Sequence, residues 1–126
     1  MQLDGTVTAG MGRGADYVGM DAYQERFAVA LGFTPYPGTL NLDVDAEQKH
    51  AVEEAAPHRR IDGFTVDGET YSAVDAYLVT VDGIDAALLE MEVTDHPPSV
   101  AEIVAPVNLR TELDIEDGDT VTCRPR

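Results

Sequence analysis

Thr39 and Asn41 stand two residues apart in the run PYPGTLNL (35–42), a hydroxyl and an amide directly behind a proline-stiffened turn. Their oxygens are of the kind a hard cation such as Mg²⁺ accepts, and neither side chain brings charge. Mg²⁺ ordinarily keeps several waters and takes its remaining ligands from substrate phosphates, which supply the compensating negative charge. A neutral pair therefore suits a metal that arrives with a nucleotide. The same side chains equally suit the satisfaction of turn backbone groups, and both roles stand open at this point. The second candidate is GMGRG at 10–14. Three glycines in five positions let backbone N–H groups face a phosphate without side-chain obstruction, and Arg13 adds a positive charge. A simple tight turn is the plainer account of that loop taken alone. It lacks the Gly-Lys-Ser/Thr ending of the common phosphate loop, and no second βαβ unit follows to make a dinucleotide fold.

Other chemistry-bearing residues form no recognisable constellation. His50, His58 and His96 lack HExxH or paired spacing and read as exposed polar residues. DVDAE (43–47) begins like a calcium loop but has neither the glycine nor the distant glutamate in register. Cys123 is the single cysteine, which rules out an internal disulfide and a multi-cysteine zinc site. With no evident base beside it, it reads as packing in a terminal strand.

The elements that must position these residues are mostly strands. LDGTVTAG (3–10) suits a first strand. DAYQERFAVAL (21–31) is the one clear helix, with Tyr23, Phe27 and Ala30 or Leu31 on one side, Asp21 and Gln24 as capping residues and Gly32 as its left-handed stop. Pro35 and Pro37 forbid further helix, and TLNLDVD (39–45) alternates, with Leu40, Leu42 and Val44 opposite Thr39 and Asn41. Residues 46–58 read as a short exposed helix or a loop. Two Asp-Gly pairs, at 67–68 and 82–83, sit between β-prone runs and predict a meander of three strands over 64–92. A strand through Ile103 and Val104 gives way at Pro106 to a short helix, and the tail turns at Gly118 into a last strand. Many strands, few helices and glycine-bearing turns predict a closed barrel in one domain over residues 1–126.

The 24 acidic residues against 8 basic ones leave a net charge of −16, and Lys49 is the only lysine. Such a surface repels nucleic acid and anionic membranes, which tells against a DNA-binding regulator built on a related barrel. It fits a protein that stays hydrated in concentrated salt, where the Debye length falls to about 3 Å at 1 M. No basic segment followed by an apolar run opens the chain, and no 18 apolar residues stand together. The expectation is a soluble, cytoplasmic monomer in a salt-rich cell.

GMGRG after the first strand, the helix ending in LGF, PYPGTLNL, EIVAPVNLR (102–110) and LDIEDGDTV (113–121) together resemble the archaeal CTP-dependent riboflavin kinases, in the family's order and nearly at its spacing. The resemblance spans almost the whole chain. PYPGTLN with APxxLR is its most specific part. It implies a mainly β, six-stranded cradle-loop (RIFT-type) barrel with short helical segments beside the 21–31 helix. The implied reaction moves the γ-phosphate of CTP to riboflavin, giving FMN and CDP. By the same resemblance Gly10, Met11, Gly12, Arg13, Gly14 and Ala15, with Val107, Asn108, Leu109 and Arg110, hold the nucleotide. Thr39 and Asn41 bind Mg²⁺, and Thr94 and Glu102 contact the flavin. Family members often carry an acidic residue where Arg13 stands and a basic one where Ala15 stands, so the loop's backbone is expected to make its contacts. Glu102, beside the flavin region, is the candidate to orient or deprotonate the acceptor hydroxyl. A non-catalytic flavin- or nucleotide-binding barrel is the alternative.

Overall fold

The computed structural model describes residues 1–9, 17–91 and 97–126. Its strands are β1 (Leu3–Thr8), β2 (Leu40–Asp43), β3 (His58–Ile61), β4 (Phe64–Val66), β5 (Glu69–Tyr71), β6 (Val74–Val81), β7 (Ile84–Met91), β8 (Val100–Val104) and β9 (Thr120–Pro125), and its helices are α1 (Asp21–Leu31), α2 (Ala46–Ala55) and α3 (Leu109–Glu112). Six strands close a ring in the order β6-β7-β8-β2-β1-β9, every neighbour antiparallel, with β9 returning to β6. Closure depends on the length of β6. Its first half, Val74–Tyr77, pairs with β3, and its second half, Val79–Val81, pairs with β9. The expected closed six-stranded barrel is therefore present, with β3 as an extra flap.

Strand alternation divides the apolar residues between two cores. Inside the barrel lie Leu3, Val7, Leu40, Leu42, Val79, Val81, Leu88, Ile103, Val121 and Cys123. The outer face of β6 and β7 carries Val74, Ala76, Leu78, Ala87, Leu89 and Met91, which pack against Tyr23, Phe27 and Leu31 of α1. These helical positions are the ones the spacing predicts, and Gly32 ends the helix at φ 81 with its N–H bonded to Ala28 O at 3.1 Å. The capping expectation fails. Met20 is the N-cap without a side-chain bond, and Asp21 lies inside the first turn. Gln24 instead donates to Val18 O at 2.6 Å and Pro35 O at 3.2 Å, tying the start of the helix to the turn beyond its end.

Two further expectations change. Residues 46–55 form the short helix, exposed over most of its length, but one face is not: Val52 is fully buried in the barrel core and Lys49 is 4% exposed, so α2 plugs one end of the barrel. Asp45 accepts from Gln48 N at 3.0 Å, which makes the acidic DVDAE run a helix cap. The meander of three strands is instead a two-stranded ribbon, β4–β5, followed by the barrel hairpin β6–β7. Both Asp-Gly turns form as expected, with φ of 51 and 81 at Asp67-Gly68 and 46 and 87 at Asp82-Gly83. The chain breaks at Ser72-Ala73 because the ribbon folds onto α1: Phe64 and Tyr71 meet Tyr23 ring to ring at 5.1 and 5.6 Å, and the Tyr23 hydroxyl donates to Ser72 O at 2.8 Å. Among the described residues no helix is long and apolar enough to cross a membrane.

Candidate active site

The turn ahead of β2 is held from both sides. Pro35 O accepts from Gln24, and Tyr36 N donates to Ala105 O at 2.8 Å at the end of β8. Gly38 follows at φ 151, in a region that side chains disfavour, so the sequence Pro-Gly sets the direction in which Thr39 leaves the turn. Thr39 then lines a cavity of about 150 Å³ together with Tyr36 and Gly38 on one wall, and Ala105 and Val107 through Arg110 on the other. That is room for a group larger than a single water. The proline turn and the APVNLR segment, 66 residues apart between Thr39 and Ala105, thus face each other across one space.

Asn41 lies one strand-alternation beyond Thr39, and its Nδ2 is 3.3 Å from Thr39 Oγ1. Amide oxygen and nitrogen exchange by a flip, so an amide oxygen can stand at the same spacing. Two adjacent ligands of an ion that holds oxygens at about 2.1 Å lie about 3 Å apart, and the pair fits Mg²⁺ on that ground. Across the sheet Asn41 is in register with Glu102 on β8 and with Thr8 on β1, so the three side chains share one face. Asn41 is 8% and Glu102 6% exposed. Burial first, and then the charge of Glu90, push the Glu102 carboxyl above the ordinary glutamate range, while Lys49 pulls it down. Such a carboxyl accepts a proton more readily than a surface glutamate.

In the second segment Asn108 caps α3, its Oδ1 accepting from Arg110 N at 3.1 Å and Thr111 N at 3.3 Å. Its side-chain oxygen is therefore engaged within the chain. Leu109 is buried in the barrel core. Arg110 reaches Thr8 O at 3.3 Å and Asp117 at 2.6 Å. Thr8 ends β1, two residues before Gly10, so Arg110 binds the APVNLR segment to the strand that leads into the glycine run.

Residues 7–124 match the family model of CTP-dependent riboflavin kinases, described as the domain of unknown function DUF120. The chain belongs to the CTP-dependent riboflavin kinase family. Curated relatives named riboflavin kinase are 40% identical over 123 residues in Pyrobaculum arsenaticum, 39% over 124 in Methanosarcina mazei and 35% over 123 in Archaeoglobus fulgidus. Each alignment covers 96% of this chain but 59%, 55% and 53% of the relative, so the chain spans little more than half the length of these proteins.

Of the residues assigned by likeness to this riboflavin kinase family, Thr39 and Val107 to Arg110 meet at the cavity, and Asn41 and Glu102 stand together in register. Gly10, Met11, Gly12, Arg13, Gly14, Ala15 and Thr94 lie outside the described residues. Sequence reasoning missed Tyr36, which lines the cavity, and Gln24, which holds the turn; only the proline on either side of Tyr36 hinted that its position is fixed. Cys123 is fully buried, and burial pushes its thiol up to about 12, in keeping with packing rather than nucleophilic attack. His50 pairs with Glu54 one helical turn away at 3.0 Å, and His58 with Asp75 at 2.8 Å.

Proposed function

We propose that this barrel transfers the γ-phosphate of CTP to the ribityl 5′-hydroxyl of riboflavin, giving FMN and CDP. The reading is carried by one observation: Thr39 faces Val107–Arg110 across a single cavity, while Asn41 and Glu102 stand in register on the adjoining strands. The relatives' names and the CTP in the family's name support the substrate pair.

In this reading Thr39 and Asn41 hold Mg²⁺, and Gly10 to Ala15 with Val107 to Arg110 receive the nucleotide. When bound, the ion supplies positive charge to the oxygens of the transferring phosphates. Thr39 and Asn41 suit that task because they are neutral: they orient without cancelling charge, where a carboxylate would weaken its pull. The turn that carries them is clamped by Gln24 and Ala105, so their geometry exists before any ligand enters. Thr94 and Glu102 contact the flavin. Glu102, buried and with raised proton affinity, takes the proton from the ribityl hydroxyl, a role that favours a base whose affinity lies nearer neutrality than that of a surface carboxylate. Residues 1–126 act as one domain and as a monomer, in a salt-rich cytoplasm to which the −16 charge is suited.

Incubation of the protein with riboflavin, Mg²⁺ and either CTP or ATP, at low and high KCl, tests the reading by separation of FMN from riboflavin. FMN formed faster from CTP than from ATP is the expected result. Tight flavin or nucleotide binding without FMN would make the barrel a carrier.

A further inference from the structure

A second concavity, of about 670 Å³, lies between the later half of α1 and the β3–β4 corner. It shares no lining residue with the cavity at Thr39. Arg26, Arg59 and Arg60 line it, which are three of the eight basic residues in a chain with 24 acidic ones. Where arginines are so few, their partners are informative. Arg60 is neutralised by Asp62 and Asp75, Arg110 by Asp117, and Arg126 has Asp85 at 3.7 Å. Among the described residues, Arg26 and Arg59 have only carbonyl acceptors, Ala22 O at 2.8 Å and His58 O at 3.0 Å.

Arg26 is also held in place. Its guanidinium lies 3.7 Å over the Phe64 ring, and Phe64 is stacked in turn on Tyr71 with centroids 5.0 Å apart. A guanidinium held by a ring face and one carbonyl has lost part of its rotamer freedom beforehand, and it keeps further N–H donors for a ligand. Beside it Val29 is 88% exposed, a large apolar side chain left in solvent next to Ala30 and Ile61. Glu25 and Asp62 also line the cleft, so its lining carries three positive charges against two negative ones on a strongly negative molecule, with Asp75 engaged by Arg60 and His58.

We infer that this cleft binds an organic phosphomonoester, its phosphate held by Arg26 and Arg59 and its apolar or flat body lying on Val29 and Ala30. A phosphomonoester carries a charge of about −1.5 to −2 at pH 7 and three acceptor oxygens, which two guanidinium forks match by paired hydrogen bonds. The volume falls within the range of roughly 300–1,000 Å³ found for small-molecule sites. Contact hydrogen bonds of this kind persist where salt has screened the longer-range field. The inference does not depend on which reaction the barrel catalyses.

The test is titration of the ¹⁵N-labelled full chain, in EDTA, with phenyl phosphate, with inorganic phosphate and with phenol, each at matched ionic strength. Saturable amide shifts at Val29, Ile61 and Gly63 are expected with phenyl phosphate, weaker ones with phosphate and none with phenol. Arg59→Gln, at an exposed position away from the stacked rings, should weaken binding at least threefold, and Arg26→Gln with Arg59→Gln at least tenfold. Shifts confined to Gly38–Asn41 and Ala105–Arg110, shifts reproduced by KCl alone, or affinity unchanged in Arg59→Gln would overturn the assignment.

Discussion

Glu102 and Glu53 both hold their protons at higher pH than an ordinary glutamate, and burial is the first cause in each. Their surroundings differ. Glu102 lies on a central barrel strand, 6% exposed, between Leu89 and Asn41 in the ladder, and its strand neighbour Ile103 lines the cavity at Thr39. Glu53 lies on the plug helix α2 and faces Glu90, whose carboxylate is clamped at 2.5 Å by the chain's one lysine. The first arrangement puts a carboxyl of raised proton affinity on a rigid barrel strand, in register with Asn41 of the proposed site. The second sits within the Lys49–Glu90 pair, whose charges also reach Glu102. A perturbed carboxyl marks a functional site only when the fold also gives it something to act on.

The largest effect that would sharpen this contrast is on the proposed metal pair. Asn41→Ala should lower FMN formation by at least 100-fold at saturating Mg²⁺. Among the described residues its side-chain hydrogen bond is the 3.3 Å contact with Thr39, so thermal unfolding should move little. Retained turnover would remove Asn41 from the site. Next comes Glu102→Gln, which keeps shape and removes the proton acceptor. Turnover should fall by about 10² or more while riboflavin affinity changes less than threefold. Equal losses in both would make Glu102 a flavin contact and nothing else.

How much of this was legible beforehand follows from whether the signal is local. The α1 face can be read because Tyr23, Phe27 and Leu31 repeat at helical spacing, and both hairpin turns because Asp-Gly takes two positive φ angles in sequence. β3 could not be read. Its HRRI sequence has three exposed residues before one buried one, and its partner, β6, is chosen 16 residues later by the room left on that strand's edge. The candidate site shows the same division. The stiff turn and its neutral pair are visible in eight consecutive residues, whereas the register of Asn41 with Glu102 joins strands 61 residues apart, which no local pattern encodes. The burial of Lys49 was hidden for a further reason: a lone lysine in a polar helix reads as solvated until its acidic partner from β7 is known.

That buried lysine gives the third test, now on the structural side of the comparison. Lys49→Met removes the cation but leaves Glu90 and Glu53 together, and should cost about 1–3 kcal/mol in urea unfolding, with Glu90 partly open to water and so able to recover some hydration. Lys49→Arg should restore part of the loss. In either variant the turnover of protein that remains folded should stay within a few-fold of the original, since Lys49 is the smallest of the three influences on the Glu102 carboxyl, after burial and Glu90. A collapse of turnover in fully folded Lys49→Met would join the two carboxylate clusters into one working unit.

The smallest expected effect is a pH dependence. Burial and then Glu90 push Glu53 up to about 7 from an ordinary 4.5. The folded chain therefore binds a proton that the unfolded chain releases between those values, and the associated stability is complete below about pH 4.5 and disappears as pH rises through about 7. Because Glu53 is only partly buried, solvent screening reduces the full linkage energy, and about 1 kcal/mol is expected. Stability measured between pH 5 and 8 should decline by this amount in the unmodified chain and run flatter in Glu53→Gln, whose amide keeps a hydrogen-bond donor for Glu90 without titrating. Identical slopes in the two proteins would remove Glu53 as the source of the decline and leave it to Glu102, whose raised proton affinity gives the same sign.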